Sequence, residues 1–284
     1  MTELITSAQN PKIKKLLALQ QKSSERRSEG LFVVEGRREI EHCVEAGYEI
    51  DTVFVCPSVM PDSDRASWTP DQVGGDSIVM PGGSLVMPGG DRASKTFRVS
   101  PSVYDKIAYR AGTEGIIAEV KAKSLSLRDL TLGDNPLIVV LESVEKPGNL
   151  GAVLRSADAS GADAVIVCDP LTDLYNPNLI RSSIGAIFTV PCVACSSKEC
   201  IDFLKSKGIS ILTAQLQDSE LYYDTDMKKG VAIVMGTEST GLTDIWRKAA
   251  DAHIRIPMLG RLDSLNVSVS AAILLFEAVR QRNG

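Results

Sequence analysis

Histidine is scarce in this sequence, with only His42 and His253 among 284 residues. A nucleophilic triad built on histidine is therefore disfavoured. No apolar stretch opens into a GxGxxG turn or a GxxxxGK phosphate loop, and the GxSxG turn of serine hydrolases is absent. These absences argue against dinucleotide-dependent enzymes, nucleoside triphosphatases and α/β-hydrolases.

Long hydrophobic runs are also missing. No window approaches the roughly 18 continuous apolar residues of a membrane-spanning helix. The first residues, MTELITSAQNPKIKK, lack the apolar centre of a secretion signal. The six cysteines are therefore expected to be reduced thiols of a cytoplasmic protein.

Three of the cysteines are close in sequence: Cys192 and Cys195 form a CxxC, and Cys200 follows. This spacing could be half of a zinc site, but a second CxxC and a nearby histidine are lacking, and structural zinc uses four ligands. Ordinary buried thiols are the preferred interpretation, and no metal is expected.

Positive charge is not in excess, since the formal net charge is −5. The distribution is uneven, however, because residues 1–38 carry eight basic against four acidic side chains. Such a local excess is typical of a phosphate-contacting surface or of a solvated helix face. The candidates for phosphate contact in this stretch are Lys12, Lys14, Lys15, Arg26, Arg27, Arg37 and Arg38.

Apolar periodicity predicts a small α/β module over residues 1–120, with helices at 7–21, 35–46 and 101–109 and strands at 31–34, 52–56 and 115–120. Residues 57–98 are atypical, because SIVMPGG is followed directly by SLVMPGG, and their Pro-Gly-Gly turns predict a flexible or hairpin-like excursion. Polar residues 121–136 predict a linker.

Residues 137–284 alternate strand and helix regularly, which predicts a parallel sheet with helices on both faces. Predicted strands cover 137–141, 164–168, 187–193, 209–214, 231–235 and 253–256, and predicted helices cover 150–160, 177–186 and 198–207. A last helix begins near residues 264–266 and is apolar almost all round, so it must be buried on most sides.

The second module contains three glycine- and serine-containing segments: PGNLGAVLRSADASGA (147–162), IVMGTESTGL (233–242) and IPMLGRLDSLNVSVSAAILLFEA (256–278). In order and spacing these segments resemble the three signature motifs of the SpoU/TrmH family, the RNA ribose 2′-O-methyltransferases of the SPOUT class. LYNPNLIRSSIGAIFTVP (174–191) looks like the connecting region of that family. SAQNPKIKKL and LFVVEGRREIEHCVEAG look like its N-terminal RNA-substrate-binding module, and this resemblance makes the seven candidates for phosphate contact candidate RNA-binding residues.

The resemblance implies an α/β fold with a C-terminal SPOUT domain containing a trefoil knot, preceded by a small α/β RNA-binding domain. It further implies a homodimer formed through the C-terminal domain, and S-adenosylmethionine bound by three loops, with Gly236 allowing close backbone approach. The cofactor-binding residues so implied are Thr213, Ala214, Gln215, Leu216, Gln217, Met235, Gly236, Glu238, Gly241, Ile256, Pro257, Leu259, Leu265, Val267 and Ser268.

The catalytic residues that the resemblance implies are Asn149, Arg155, Glu238, Ser264 and Asn266. Arginine stays protonated in ordinary surroundings, so Arg155 suits stabilisation of a developing alkoxide, or alignment of a phosphate, better than proton abstraction. The expected activity is methylation of a ribose 2′-hydroxyl in ribosomal or transfer RNA. The alternatives are a non-catalytic RNA-binding or assembly protein that keeps the knot, and a related enzyme that methylates a base.

Overall fold

The computed structural model describes residues 3–60, 95–109, 114–237, 240–261 and 263–284. By internal contacts the chain divides into two units, the first made of Met1–Lys123 with Tyr175–Arg181 and the second of Ser124–Leu174 with Ser182–Gly284. Most of the excursion predicted at 57–98 lies outside the described residues. Within the described ranges, no helix is both long enough and apolar enough to cross a membrane.

The first unit is built on a five-stranded mixed sheet of order β1-β4-β3-β5-β2. In chain order its elements are β1 (Leu4–Ile5), α1 (Pro11–Gln21), α2 (Ser23–Glu29), β2 (Leu31–Glu35), α3 (Arg37–Glu45), β3 (Ile50–Val55), β4 (Lys95–Val99), α4 (Pro101–Ile107) and β5 (Ile116–Lys121).

Helix α1 shows why this module folds as it does. Asn10 caps its first turn, accepting a hydrogen bond from the Lys12 amide at 2.9 Å, and Pro11 occupies the first helical position. Ile13, Leu16 and Leu19 fall on one face and are completely buried in the core of the unit. The predicted helix at 7–21 is therefore present, but it begins four residues later, at the proline.

The second unit is built on a seven-stranded sheet of order β10-β12-β9-β11-β6-β7-β8, in which every strand pair is parallel. Its elements are β6 (Leu137–Glu142), α5 (Pro147–Ser160), β7 (Ala164–Cys168), the end of α6 (Pro177–Ser183), most of which belongs to the first unit, α7 (Ala186–Thr189), β8 (Cys192–Cys195), α8 (Ser197–Ser206), β9 (Ser210–Ala214), β10 (Glu220–Leu221), β11 (Val231–Met235), α9 (Asp244–Ala249), β12 (Ala252–Arg255) and α10 (Val267–Asn283). The predicted parallel sheet is confirmed.

The order of the strands locates the expected ligand site. The chain runs outward from β6 through β7 to β8, and then returns to build β9, β11 and β12 on the other side of β6. The order therefore reverses between β6 and β11. In open parallel sheets, ligands bind at such a reversal, outside the carboxyl ends of the strands.

One predicted strand is wrong. Residues 187–193 do not form a continuous strand, because Ile187 and Phe188 lie in α7 and the strand β8 begins only at Cys192. Gly185, with φ of 84°, ends the preceding segment, and the apolar run after it is buried as a helical turn packed against α5. The prediction failed because a short apolar run can be buried either as a helix or as a strand.

Helix α10 begins where the sequence predicts, with Asn266 as its N-cap. It packs mainly against α5, and Ala271, Leu274 and Leu275 are fully buried. Val269 and Phe276 remain about half exposed, at 46% and 48%. How the chain segments thread past one another, and hence the trefoil knot, stays a prediction.

Candidate functional site

Three loops of the second unit surround one cavity of about 330 Å³ at the carboxyl ends of β9, β11 and β12. We call it the larger cavity. Residues 214–217 lie at and after the end of β9, residues 235–237 and 240–242 at and after the end of β11, and residues 254–256 with Met258 at and after the end of β12. Asp263, Ser264, Leu265, Val267 and Ser270 complete its wall. Its size is that of small-molecule sites in enzymes.

The loop after β11 is tightly folded on itself. A Cβ added at Gly236 would lie 2.3 Å from the carbonyl carbon and oxygen of Gly241. Thr237 closes the loop, because its carbonyl accepts from the Gly241 amide at 3.0 Å and its Oγ1 accepts from the Thr240 amide at 3.0 Å. Glycine at 236 is thus required by the loop's own backbone, before any ligand is considered.

A smaller cavity of about 160 Å³ adjoins the larger one and shares Gly236, Thr237 and Val267 with it. Its other lining residues lie at the end of β6 and the start of α5: Leu141, Glu142, Val144, Glu145, Lys146 and Asn149. The two cavities therefore flank the reversal point between β6 and β11.

Two of the predicted catalytic residues meet across this region. The Asn266 Nδ2 group donates a hydrogen bond to Asn149 Oδ1 at 3.1 Å, although 117 positions separate the two residues. Asn266 Oδ1 in turn accepts from the Ser268 amide at 3.0 Å and from Ser268 Oγ at 2.6 Å. The first and third motifs are thereby joined through the N-cap of α10.

The other predicted catalytic residues are placed differently. Ser264 is exposed and lines the larger cavity. Arg155 is the ninth residue of α5 and is exposed, and within the described residues no hydrogen bond or ion pair holds its guanidinium group. Glu238 lies outside the described residues, so its predicted role toward Arg155 or the loop stays a prediction.

The larger cavity collects ten of the residues predicted to bind the cofactor: Ala214, Gln215, Leu216, Gln217, Met235, Gly236, Gly241, Ile256, Leu265 and Val267. Four others are not in its wall: Thr213, Pro257, Leu259 and Ser268. Thr213 is fully buried and its Oγ1 hydrogen-bonds to His253 Nδ1 at 2.6 Å, while Leu259 is 97% exposed. The expectation of direct ligand contact is therefore not met by Thr213, because its side chain points into the protein.

The resemblance implies loops at 213–217, 235–241 and 256–259 leading to 265–268, so Thr237, Thr240 and Met258, which also line the larger cavity, fall within them. Six lining residues lie outside those loops: Leu242, Arg247, Ile254, Arg255, Asp263 and Ser270. Arg247 comes from α9, and no pattern in the sequence indicates that this helix faces the cavity.

Glu142 is the most informative residue that the sequence analysis passed over. It ends the apolar strand β6, is 4% exposed, and accepts hydrogen bonds from the Thr243 amide at 2.8 Å and Thr243 Oγ1 at 2.5 Å. Ser197 Oγ lies 3.3 Å from the carboxylate, donates its proton to Asp169 Oδ2 at 2.6 Å and accepts from Trp246 Nε1 at 3.0 Å. A carboxylate at the end of a buried strand thus holds Thr243, the N-cap of α9, directly after the β11 loop.

Six of the seven candidate RNA-binding residues of the first unit fall into two groups. Lys12 is bound to Glu3 at 3.0 Å, Lys15 lies 3.6 Å from Glu119, and Arg37 is bound to Glu41 at 2.7 Å. Three residues are exposed and have no hydrogen-bond or ion-pair partner in the described part of the chain: Lys14, Arg27 and Arg38. These three are the positions best able to meet a phosphate backbone.

Arg26 corrects the expectation for one member of the set. It is 5% exposed, and its Nη1 donates to the Leu19 carbonyl at 2.6 Å and the Gln20 carbonyl at 3.3 Å. These carbonyls belong to the last turn of α1, which has no further intrahelical partners. Arg26 therefore stabilises the junction of α1 and α2 rather than offering its charge to RNA.

Glu119, in β5 of the first unit, is a buried carboxyl group with an altered pKa. Burial raises its pKa from 4.5 to about 7, and the opposing charge of Lys15 offsets only part of that effect. Its Oε1 atom is buried without a hydrogen-bond partner in the described structure. The group affects stability, and it is remote in sequence from the motifs of the second unit.

Comparison with known proteins identifies relatives for both units. Residues 136–276 match the SpoU rRNA Methylase family, and residues 10–118 match the MRM3-like substrate binding domain. The 23S rRNA (guanosine-2′-O-)-methyltransferase RlmB of Ralstonia nicotianae is 36% identical over 194 residues, covering 66% of this chain and 78% of its own length.

Two solved structures share the whole fold. The crystal structure of an RNA 2′-O ribose methyltransferase is 37% identical, with a TM-score of 0.80 over 99% of this chain and 100% of its own. The AdoMet-bound rRNA methyltransferase of Sinorhizobium meliloti is 28% identical, with a TM-score of 0.81 over 98% of each chain.

Proposed function

The chain belongs to the SpoU rRNA methylase family, and we propose that it transfers the methyl group of S-adenosylmethionine to a ribose 2′-hydroxyl of ribosomal RNA. The observation that carries this proposal is the convergence of three sequence motifs on one pair of cavities. The second and third motifs line the larger cavity, and the first motif lines the smaller one and is joined to the third by the Asn149–Asn266 bond.

The larger cavity fits S-adenosylmethionine in size and chemistry. Apolar side chains from β11, β12 and the loop before α10 (Met235, Ile254 and Leu265) suit the adenine ring, and exposed backbone in the β9 and β11 loops can read its polar edge. The side chains of Arg247, Arg255 and Asp263 provide charges of both signs for the amino acid end. Once bound, the cofactor supplies an electrophilic methyl group on a positively charged sulfur.

The smaller cavity is the proposed position of the ribose. Asn149 lines it, and the amide of Asn266 fixes the direction in which the Asn149 carbonyl points. Arg155 lies two turns further along α5 and presents a permanent positive charge. We assign Arg155 to stabilisation of the developing 2′-alkoxide or to alignment of a neighbouring phosphate, with Ser264, Asn266 and Glu238 as positioning groups.

The first unit is proposed to hold the RNA substrate. It matches a substrate-binding domain, and the exposed charges of Lys14, Arg27 and Arg38 are available for phosphate contacts. For the domain boundaries we keep residues 1–120 for this module, 121–136 for the linker and 137–284 for the methyltransferase domain. We also propose a cytoplasmic location, which a ribosomal RNA substrate supports.

We further propose that the enzyme is a homodimer formed through the C-terminal domain. Val269 and Phe276 leave an apolar strip exposed along one side of α10, next to residues that line both cavities. Light scattering on the protein as it elutes from a size-exclusion column would measure its mass directly. A monomer at micromolar concentration would contradict this part of the proposal.

The test of activity is transfer of labelled methyl from S-adenosylmethionine to unmodified ribosomal RNA, and separately to unmodified transfer RNA, followed by nucleoside analysis. A 2′-O-methylnucleoside in the ribosomal pool is the expected result. A 2′-O-methylnucleoside found only in the transfer RNA pool would show that transfer RNA is the substrate. A methylated base would show that the enzyme methylates a base rather than a ribose. Cofactor binding without any methylated RNA would favour the non-catalytic alternative.

A further inference from the structure

Three thiol groups of the second unit come together, and the proposed methyl transfer does not use them. The sulfur atoms of Cys168, Cys195 and Cys200 all lie within 4.8 Å of one another. None of them is in a disulfide. Cys168 and Cys200 are completely buried, while Cys195 is partly accessible.

Rigid elements place all three side chains. Cys168 and Cys195 are the last residues of β7 and β8, and they are register partners on these adjacent parallel strands, so their side chains leave the same face of the sheet. Cys200 lies in the first turn of α8, which packs against β7 on that face. A capping box between Ser196 and Glu199 fixes the start of this helix.

We propose that Cys168, Cys195 and Cys200 form a three-thiolate binding site for a soft d¹⁰ metal ion, zinc or copper(I). Thiolates select these ions over the hard cations that oxygen ligands prefer. No carboxylate is needed in the set, and the three ligands come from two strands and one helix rather than from a mobile loop. The inference is independent of the proposed methyl transfer.

The geometry is close to what coordination needs. Zinc–sulfur bonds of about 2.3 Å at tetrahedral angles separate the sulfurs by roughly 3.8 Å. The sulfurs already lie within 4.8 Å, so side-chain rotations that close the widest gap by about 1 Å would complete the arrangement. The partial exposure of Cys195 provides an entry path and leaves room for a water as fourth ligand of zinc.

The cluster differs from the half-site that the sequence suggests. Cys192 belongs to the CxxC but not to the three-sulfur group. Side chains alternate along a strand, so residues three apart in β8 point to opposite faces of the sheet. The third sulfur of the group comes instead from Cys168, which is 27 positions from Cys195 and lies in no recognisable metal-binding motif. Burial raises the pKa of Cys192 to about 12, as for an inert core thiol.

The experiment titrates the full-length protein, reduced and free of oxygen, with Zn²⁺ against a chromophoric chelator and with Cu⁺ against a copper(I) indicator. Cobalt(II) replaces zinc in a third titration, where thiolate ligation produces a charge-transfer band. We expect one ion per chain for zinc or copper(I). The matched variants are Cys195→Ser, which removes a ligand, and Cys192→Ala, which removes a buried cysteine outside the cluster.

Affinity should fall by at least about 100-fold in Cys195→Ser, since even a partner beyond the ligands is worth 10- to 100-fold. It should be unchanged in Cys192→Ala. Cys200→Ala serves as a second ligand variant, and thermal melts establish that each protein is folded. Absence of stoichiometric binding to the native protein would overturn the proposal, as would equal loss in Cys192→Ala or a disulfide among the three cysteines in the reduced preparation. Methyl transfer is not a readout, so its failure leaves this result unaffected.

Discussion

Glu142 should control both the stability of the second unit and its affinity for S-adenosylmethionine. Its carboxylate accepts two hydrogen bonds from Thr243, and Ser197 Oγ lies 3.3 Å away, in a site that is 4% exposed. Thr243 directly follows Leu242, which lines the larger cavity. Loss of the carboxylate would therefore release the loop that closes this cavity.

The magnitude follows from which bonds survive each substitution. In Glu142→Gln the remaining oxygen can accept from the Thr243 amide, and the hydroxyl groups of Thr243 and Ser197 can turn to accept from the new amide. Only the contribution of the negative charge is lost, about 1–2 kcal/mol of unfolding free energy. Glu142→Ala leaves the donors unpaired and a space behind them, so we expect a loss of about 3–5 kcal/mol.

Urea unfolding measures the stability, and calorimetric titration measures S-adenosylmethionine binding. We expect Glu142→Ala to weaken binding by at least tenfold, which corresponds to about 1.4 kcal/mol. Glu277→Ala is the matched control, because Glu277 is also a buried glutamate, paired with Arg280 at 2.7 Å, but lines neither cavity. It should lower stability without changing affinity.

Two results would refute the reasoning about Glu142. One is an unfolding free energy of Glu142→Ala within about 1 kcal/mol of the native protein, since this would mean that the buried bonds contribute little. The other is an equal loss of cofactor affinity in Glu277→Ala, which would show a general effect of destabilisation rather than release of the β11 loop.

Three further predictions follow from the described contacts. Arg155→Ala should abolish methyl transfer with little change in cofactor affinity, whereas the exposed control Arg128→Ala should keep both; a normal transfer rate in Arg155→Ala would contradict the assigned role. The folded-state pKa of Glu119 is raised from 4.5 to about 7. The contribution of its protonated carboxyl group to the free energy of unfolding is therefore complete below pH 4.5 and is lost as pH rises to 7. The unfolding free energy should therefore fall over this window by up to about 3 kcal/mol in the native protein relative to Glu119→Gln, and parallel pH curves would exclude the shift. Arg26→Ala should lower stability by about 2–3 kcal/mol, whereas Arg27→Ala should leave stability unchanged and weaken RNA binding in a salt-dependent manner; filter binding and urea unfolding separate the two outcomes.

The general architecture of the second unit could be predicted because its strands are short, apolar and regularly spaced. The strands 164–168 and 231–235 have the predicted ends, and the comparisons confirm the SpoU/TrmH resemblance. Both strands are buried along their whole length, so each reads as a continuous apolar run bounded by turn residues.

Other features depend on contacts between distant residues, which local patterns do not encode. Ile187 and Phe188 could not be assigned to helix or strand from their apolar character alone, because either element would bury them. The strand β4 was not predicted, because four of its five residues lie within the atypical segment 57–98 and only Val99 is buried. Arg26 looks like any other surface cation in the sequence, and only the carbonyls of α1 explain its burial.

The candidate site likewise combines features that the sequence predicts with features that depend on tertiary contacts. Its loops could be predicted from the motifs, and most of the implied cofactor residues lie in the larger cavity. The roles of Glu142 and Arg247 require the tertiary structure, because each side chain meets a loop that is distant in sequence. Cys168 is the clearest example, since nothing near it in sequence indicates that it meets two other sulfurs.

The bond between Asn149 and Asn266 has a consequence for the order in which the protein matures. Its two partners are 117 positions apart, so the bond closes a segment of chain that contains the strands β7 to β12. Contacts of such long sequence separation carry a large loop-closure cost and arise late in folding. During refolding, secondary structure should therefore return before catalysis does, and the regain of activity should report completion of the native chain topology rather than collapse.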